Sequence, residues 1–85
     1  MSKILIVDDE PNIVMSLEYA FKKKGFDVYI ARDGEEAIQL IKEVLPNIVL
    51  LDIMMPKVDG YEVLEYVNQQ HENDGIKVLF MSAKN

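Results

Sequence analysis

The chain has no cysteine and no tryptophan, and only three prolines and four glycines among its 85 residues. Without cysteine, neither a disulfide framework nor a thiolate metal site can form. No basic segment followed by an apolar stretch and a cleavage site opens the chain, so we expect no export signal. Apolar runs such as Ile4–Val7 and Ile48–Leu51 fall far short of the roughly 20 residues that cross a bilayer. We therefore expect a soluble, cytoplasmic protein without membrane association.

Positive charge is also scarce. The chain has 9 Lys and Arg residues and 15 Asp and Glu residues, which gives a net charge of −6. This excess of negative charge argues against direct binding to a phosphate backbone, so no direct nucleic-acid contact is expected. It is compatible with a basic protein partner or a bound cation. Apolar residues at 49% and charged residues at 28% are ordinary for a folded domain, and the length predicts one domain, residues 1–85.

Short apolar runs alternate along the chain with amphipathic stretches. The runs indicate strands buried on both faces, and the stretches between them repeat apolar residues at helical spacing. The predicted strands are Lys3–Val7, Phe26–Ala31, Ile48–Leu51 and Ile76–Met81. The first predicted helix is Pro11–Lys24. The second follows Asp33 as its N-cap, with Glu36 as the capping-box partner, and is ended by Pro46. The third follows Asp59. The order βαβαβαβ predicts an α/β fold, a parallel sheet with right-handed crossovers.

Acidic and hydroxyl residues follow the predicted strands at their carboxyl ends. Asp8 and Asp9 end the first strand, Asp52 ends the third, and Ser82 follows the fourth. Taken singly, each acid has a simpler explanation as a helix N-terminal charge or a first loop residue. Together they mark the edge at which open parallel sheets bind ligands. Converging carboxylates repel one another unless a cation such as Mg²⁺, which prefers oxygen ligands, lies between them.

Three segments together resemble the receiver domain of two-component response regulators. They are Ile4–Pro11 (I-L-I-V-D-D-E-P), Ile48–Leu64 (I-V-L-L-D-I-M-M-P-K-V-D-G-Y-E-V-L) and Val78–Lys84 (V-L-F-M-S-A-K). The resemblance implies a flavodoxin-like, doubly wound parallel sheet with strand order 2-1-3-4. It also implies a phosphorylation-dependent signalling function, in which a histidine kinase, a phosphotransfer protein or a small phosphodonor supplies the phosphoryl group.

The resemblance assigns functions to individual residues at the carboxyl edge. It implies that Asp52 is the phosphoacceptor. It implies that Mg²⁺ is held by Asp9, Asp52 and the backbone carbonyl of Met54, while Asp8 holds the ion through water. Such a domain is a switch more than an enzyme, so we do not expect an enzyme in the ordinary sense.

The residues after the fourth strand complete the resemblance and then depart from it. Ser82 would be the switch hydroxyl that turns to the phosphoryl oxygen, and Ala83 would leave room for it. Receivers of this type continue with a fourth helix, a fifth strand that carries a lysine and an aromatic residue, and a fifth helix. Lys84 is not that lysine, because it lies two residues after Ser82. We therefore expect a receiver-type domain that is incomplete at its C-terminus, cut after the fourth strand.

Two alternatives belong to other classes of protein. The first is a truncated or engineered half-domain that self-associates and keeps an impaired, relict phosphoacceptor site. The second is a Mg²⁺-dependent phosphohydrolase with an aspartate nucleophile, although such enzymes usually carry a second aspartate where this chain has Met54. A P-loop nucleotide binder is excluded, because no G-x-x-x-x-G-K-[ST] motif is present.

Self-association is also expected from the predicted sheet. The fourth strand would lie at an edge, and Lys77 is its only charge against pairing with another chain. Without the last helix of such a fold, apolar side chains of strands one, three and four would face water on the side of the first helix. Exposed apolar patches commonly mark an interface, so a homodimer or higher oligomer is predicted. Two geometries are open: antiparallel edge pairing through the fourth strand, which would give a continuous eight-stranded sheet, and face-to-face packing of the uncovered sheet surfaces.

Overall fold

The structure, a computed structural model, describes residues 2–52, 60–69 and 75–81. Strands and helices alternate throughout this part of the chain, as the sequence predicts. They are β1 (Lys3–Val7), α1 (Pro11–Lys23), β2 (Asp27–Ala31), α2 (Gly34–Val44), β3 (Ile48–Asp52), α3 (Gly60–Gln69) and β4 (Lys77–Met81). The predicted N-cap Asp59 and the turn around His71 lie outside the described residues.

The four strands form one parallel sheet with the order β2-β1-β3-β4, which confirms the predicted topology. In this register Val7 of β1 lies beside Ala31 of β2 and Leu51 of β3. At the outer strand, Asp52 of β3 lies beside Met81 of β4. The carboxyl ends of all four strands therefore meet at one edge of the sheet, where the polar residues predicted to form a site follow.

Side chains alternate between the two faces of the sheet. One face packs against α2 and α3 in a core cluster made of Leu5, Val7, Ala31, Ala37, Ile41, Val49, Leu51, Val63 and Val67. The helix α1 lies on the other face, because the chain reverses direction across the sheet after β2 while the crossovers stay right-handed. The central strand β1 is buried on both faces, as its continuous apolar run predicts.

One expectation about exposure is wrong for β1. Ile4 and Ile6, which face the side of α1, are only 1% and 0% exposed. On β3 the corresponding Leu50 is half-buried. Exposure is concentrated at β4, where Leu79 is 45% and Phe80 is 41% exposed. The helix α1 therefore covers β1 well, and the exposed apolar surface lies along the outer strand.

Several element ends differ from prediction by one residue: α1 ends at Lys23, β2 begins at Asp27, β3 ends at Asp52 and β4 begins at Lys77. Local contacts explain the start of β2 and the end of α2. The strand β2 begins at Asp27, not Phe26, because the Phe26 N–H donates to the Phe21 carbonyl at 3.1 Å and the two rings meet edge to face at 5.4 Å. Phe26 therefore packs against the end of α1 and lies outside both elements. At the end of α2, Leu45 adopts a left-handed conformation with φ 53°, and its N–H donates to the Ile41 carbonyl at 3.1 Å. Pro46 follows this turn and stops the helix.

No helix within the described ranges combines the length and apolar composition needed to cross a membrane.

Candidate functional site

The site lies where β1 and β3 end side by side. Because Val7 pairs with Leu51, the next residues, Asp8 and Asp52, occupy the same position across neighbouring strands. One carboxylate oxygen from each of Asp8, Asp9 and Asp52 can be chosen so that all three lie within 4.8 Å of one another. The convergence predicted for these three acids is thus present in the structure.

The three acids differ sharply in solvent exposure. Asp8 is fully buried at 0% and Asp52 is 5% exposed, whereas Asp9 is exposed. Carboxylates are rarely buried unless they are paired or bind a metal. Two neighbouring buried carboxylates are therefore a stronger sign of a site than the surface acids elsewhere on the chain.

The N-cap residue of α1, Glu10, fixes one oxygen of Asp8. The backbone N–H of Glu10, at the start of α1, donates to Asp8 Oδ1 at 2.9 Å, and the Asp8 N–H donates to the Ala31 carbonyl at 3.1 Å. The other oxygen, Asp8 Oδ2, is buried and receives no hydrogen bond from any described residue. A buried carboxylate oxygen without a donor is costly, and a metal ion is one group that can satisfy it.

The electrostatics of the cluster agree with this geometry. Burial raises the pKa of the Asp8 carboxyl above its ordinary value of 3.8, and the nearby charges of Asp52 and Asp9 raise it further. The hydrogen bond from the Glu10 N–H opposes this rise, because it favours the charged carboxylate. A proton or a cation at Asp8 therefore lowers the free energy of the folded state.

The donor set fits a hard divalent cation. All three side chains offer oxygen atoms, and Mg²⁺ binds through one or two carboxylates together with carbonyl and water oxygens. The softer metals that prefer sulfur or imidazole find no such ligand in this cluster. Met54, Ser82 and Ala83, which the sequence analysis also places at the site, lie outside the described residues.

The same edge carries one residue that the sequence analysis did not single out. Arg32 follows β2 directly, and it lines a cavity together with Asp8 and Asp9. Its signal in the sequence is weak, since it is one basic residue between a predicted strand and a helix cap. Only the strand order, which places β2 beside β1, shows that Arg32 adjoins the acids.

Comparison with known proteins assigns the chain to a family. The family model of the response regulator receiver domain matches residues 4–85. The chain therefore belongs to the response regulator receiver domains. This confirms the resemblance drawn from the sequence. Proteins of this family signal by phosphorylation of an aspartate.

Solved structures support the same assignment. The chain is similar to the N-terminal domain of a response regulator receiver protein from Methanoculleus marisnigri JR1, with 37% identity and a TM-score of 0.89 over 99% of this chain and 68% of that one. It is similar to the response regulator TrrA from Thermotoga maritima, with 33% identity and a TM-score of 0.88 over 100% of this chain and 72% of that one. The chemotaxis protein CheY4 from Vibrio cholerae gives 26% identity and a TM-score of 0.91, over 100% and 71%.

The chain spans about two thirds of these proteins. Across the eight solved structures compared, it covers between 63% and 72% of the other chain.

Proposed function

We propose that Asp52 of this receiver domain accepts a phosphoryl group from a histidine kinase or a phosphotransfer protein. The observation that carries the proposal is the position of Asp52, nearly buried at the end of β3 with carboxylate oxygens of Asp8 and Asp9 close by. Open parallel sheets bind ligands at the carboxyl ends of their strands, and Asp52 is the last residue of β3. In this role the domain is a switch, and the phosphorylation state of Asp52 is the signal.

The proposed chemistry is a simple displacement at phosphorus. A carboxylate oxygen of Asp52 forms a bond to phosphorus, and the bond from phosphorus to the donor's nitrogen or oxygen breaks. The donor leaves with that electron pair, and an aspartyl phosphate remains. The reacting group is highly charged, so the neighbouring acids Asp8 and Asp9 oppose its approach unless their own charge is compensated.

Mg²⁺ is the proposed source of that compensation. Asp9, Asp52 and the backbone carbonyl of Met54 would bind it directly, and Asp8 would bind it through water. When bound, the ion would neutralise charge on the transferring group. The orphaned oxygen of Asp8 supports a cation at this place. The structure of the similar protein TrrA, determined as a complex with Mg²⁺-BeF, supports Mg²⁺ in particular.

The switch itself is proposed to depend on Ser82 and Ala83. The Ser82 hydroxyl would donate to an oxygen of the phosphoryl group, and the small Ala83 would leave space for that movement. A cytoplasmic location, shared with the kinase, is part of the proposal, and cell fractionation would test it.

Labelling with a small phosphodonor tests the phosphoacceptor. Intact-mass spectrometry after incubation with acetyl phosphate and Mg²⁺ should show a phosphoryl adduct on the wild type and none on Asp52→Asn. Asp27→Asn is the matched control, because Asp27 is exposed at the opposite end of β2. An adduct that survives Asp52→Asn would place the acceptor elsewhere. A folded wild type that forms no adduct would support the relict-site alternative.

Calorimetric titration tests the metal site separately. Asp9→Ala should remove most Mg²⁺ binding, since it removes a proposed direct ligand from an exposed position. Asp27→Ala should leave the Mg²⁺ affinity unchanged. Equal affinity in the wild type and Asp9→Ala would contradict the ligand assignment.

We also propose that two copies of this chain pair through β4. Leu79 and Phe80 are both more than 40% exposed, and strand alternation puts them on opposite faces of the sheet. Exposure on both faces of one outer strand favours pairing edge to edge over packing of one uncovered face. Around a twofold axis such pairing is antiparallel and continues the sheet from one copy into the next. The arrangement gives β4 a neighbour on its outer side.

Light scattering across a dilution series tests this pairing. The wild type should dissociate on dilution, and Phe80→Lys and Leu79→Lys should each shift dissociation to higher protein concentration. Tyr19→Lys changes an even more exposed aromatic residue, on α1, and should have no effect. A compact monomer at all concentrations would refute the proposal.

A further inference from the structure

Asp8 lies at the turn that leads from β1 into α1. The Asp8 N–H donates to the Ala31 carbonyl of β2 at 3.1 Å, which fixes its backbone. The Glu10 N–H donates to Asp8 Oδ1 at 2.9 Å. The Glu10 carbonyl accepts a hydrogen bond from the Val14 N–H at 3.0 Å, as the N-cap residue of a helix does. One turn therefore joins the buried carboxylate to the start of the helix.

This turn offers the Asp8 side chain fewer donors than it could. An aspartate at such a turn can accept hydrogen bonds from N–H groups two and three residues further along the chain. Glu10 is the first of these two residues and supplies its N–H. The second is Pro11, the first residue of α1, which has no N–H. Asp8 Oδ2 is buried and receives no hydrogen bond from any described residue.

The effect of Pro11 goes beyond its usual role at a helix start. Proline suits the first helical position because the N–H there has no partner within the helix. Pro11 is exposed and lines the same cavity as Asp8 and Asp9, so its ring contributes little to the core. At this turn, however, the missing N–H is one that a buried carboxylate could have used. Its absence therefore leaves an acceptor unsatisfied, which costs free energy in the metal-free domain.

We propose that Pro11 is a positioning residue that keeps Asp8 Oδ2 free for the bound cation. The inference rests on the proposed function, because it takes that cation to be Mg²⁺ at the acid cluster. A peptide N–H at position 11 would donate to the Asp8 carboxylate in a charge-assisted hydrogen bond. It would then compete for this carboxylate with the ion, or with the water that the ion holds. Because Pro11 lacks this donor, the oxygen stays available to the ion.

Two substitutions at this position separate the missing donor from the rigidity of proline. Pro11→Ala supplies an N–H and also frees the backbone. Pro11→lactic acid, which puts an ester in place of the peptide bond, frees the backbone but supplies no N–H. Calorimetric titration with Mg²⁺ should show about threefold to tenfold weaker binding for Pro11→Ala, the factor that one net hydrogen bond represents. Pro11→lactic acid should bind Mg²⁺ with nearly the affinity of the wild type.

Amide exchange followed by NMR gives a second readout, which does not depend on the measured affinity. In EDTA the additional amide of Pro11→Ala should exchange slowly, because the Asp8 carboxylate accepts its hydrogen bond. Saturating Mg²⁺ should make the same amide exchange faster, since the ion takes its acceptor. An additional amide that exchanges in EDTA as fast as an unstructured peptide would overturn the inference.

The titrations have outcomes that distinguish this inference from the proposed function. Equal weakening of Mg²⁺ binding in Pro11→Ala and Pro11→lactic acid would assign the effect to rigidity and overturn the inference. Equal Mg²⁺ affinity in the wild type and Pro11→Ala would also overturn it and leave the proposed function standing. A wild type that binds no Mg²⁺ would overturn both the inference and the proposed metal site.

Discussion

The carboxylate of Asp8 has an energetic cost that its neighbour Asp9 avoids. Asp8 is fully buried, with one oxygen held by the Glu10 N–H and the other without a donor among the described residues. Asp9 is exposed and keeps its hydration. The cost at Asp8 is the free energy of removing a charge from water beside a second carboxylate, Asp52. In the proposed metal-bound state, a cation would compensate this cost.

Asp8→Asn should stabilise the domain in the absence of divalent cations. Asparagine has nearly the same shape, removes the charge and can donate a hydrogen bond to the Asp52 carboxylate. We expect a gain of about 1 kcal/mol at pH 7, comparable to one net hydrogen bond. Urea denaturation in the presence of EDTA would measure it. The control Asp9→Asn changes an exposed carboxylate and should move stability by less than about 0.5 kcal/mol.

The advantage of Asp8→Asn should depend on pH in a defined direction. Folding raises the pKa of Asp8 above 3.8, so the folded state binds this proton more tightly than the unfolded chain does. The resulting stabilisation is fully present when the pH is below the pKa of Asp8 in the unfolded chain. It is lost as the pH rises through the pKa of Asp8 in the folded state. The difference between wild type and Asp8→Asn should therefore shrink as the pH is lowered from 7 toward 4. A difference that stays constant over this range would show that the carboxylate charge is not the cause.

The sequence predicts that the three acids lie close together, but it does not predict which of them are buried. The apolar runs that end at Asp8 and Asp52 predict adjacent strand ends, and the structure brings these carboxylates together. The full burial of Asp8 is a tertiary property that no local sequence pattern encodes. Arg32 was missed for a related reason, since its neighbours across the sheet are distant in sequence.

At the scale of elements, α2 has a well-defined cap at each end. At its start, Asp33 Oδ1 accepts a hydrogen bond from the Glu36 N–H at 2.8 Å, and Glu36 reaches back to the Arg32 N–H at 2.9 Å. This confirms the predicted capping pair, although the Glu36 side chain bonds the residue before the cap and not the cap itself. The contact also fixes the backbone of Arg32 at the end of β2.

Asp33→Ala should destabilise the domain by about 1 kcal/mol, the usual cost of losing an N-cap acceptor. Asp33→Ser is the matched control, because serine can accept the same hydrogen bond from the Glu36 N–H. Thermal unfolding followed by circular dichroism would compare the two variants. If Asp33→Ser is as unstable as Asp33→Ala, the stabilisation comes from the negative charge and not from the cap.

Leu45 is a second element-scale test, because it holds a left-handed conformation that leucine adopts at a cost. The side chain is 47% exposed, so part of its apolar surface contributes little to the core. Leu45→Gly and Leu45→Ala both remove the side chain, but only glycine relieves the strain. We expect Leu45→Gly to be about 0.5–1 kcal/mol more stable than Leu45→Ala, after allowing for the flexibility of glycine in the unfolded chain. Equal stability of the two would mean that this backbone position carries no strain.

The ends of the elements show where local patterns stop being informative. Strand interiors such as Ile4–Val7 were predictable, because a strand buried on both faces must be apolar throughout. The start of β2 was not, because Phe26 has the composition of a strand residue but packs against Phe21 of α1. Similarly, β3 extends to Asp52 since that residue pairs with Met81 of β4. Such tertiary contacts decide the last residue of an element.

At the scale of the whole molecule, stability should fall from the centre of the sheet to β4. The strand β1 has a neighbour on each side, and its residues Ile4–Val7 are at most 1% exposed. The outer strand β4 pairs with β3 alone among the described elements and exposes Leu79 and Phe80. Local opening requires less free energy where fewer apolar contacts are broken. The site is at the ends of β1 and β3, so its free energy of local opening should lie between those of β1 and β4.

Amide hydrogen exchange should reveal this gradient. Among the strands, the amides of β1 should exchange slowest, with protection that approaches the global free energy of unfolding, and those of β4 fastest. If two copies pair through β4, protection of β4 should rise with protein concentration while that of β1 rises much less, because only the outer strand gains a neighbour. Phe80→Lys should remove the concentration dependence and leave the slow exchange of β1 in place. Uniform protection of all four strands in dilute samples would contradict the gradient, and it would mean that the sheet opens only as a single cooperative unit.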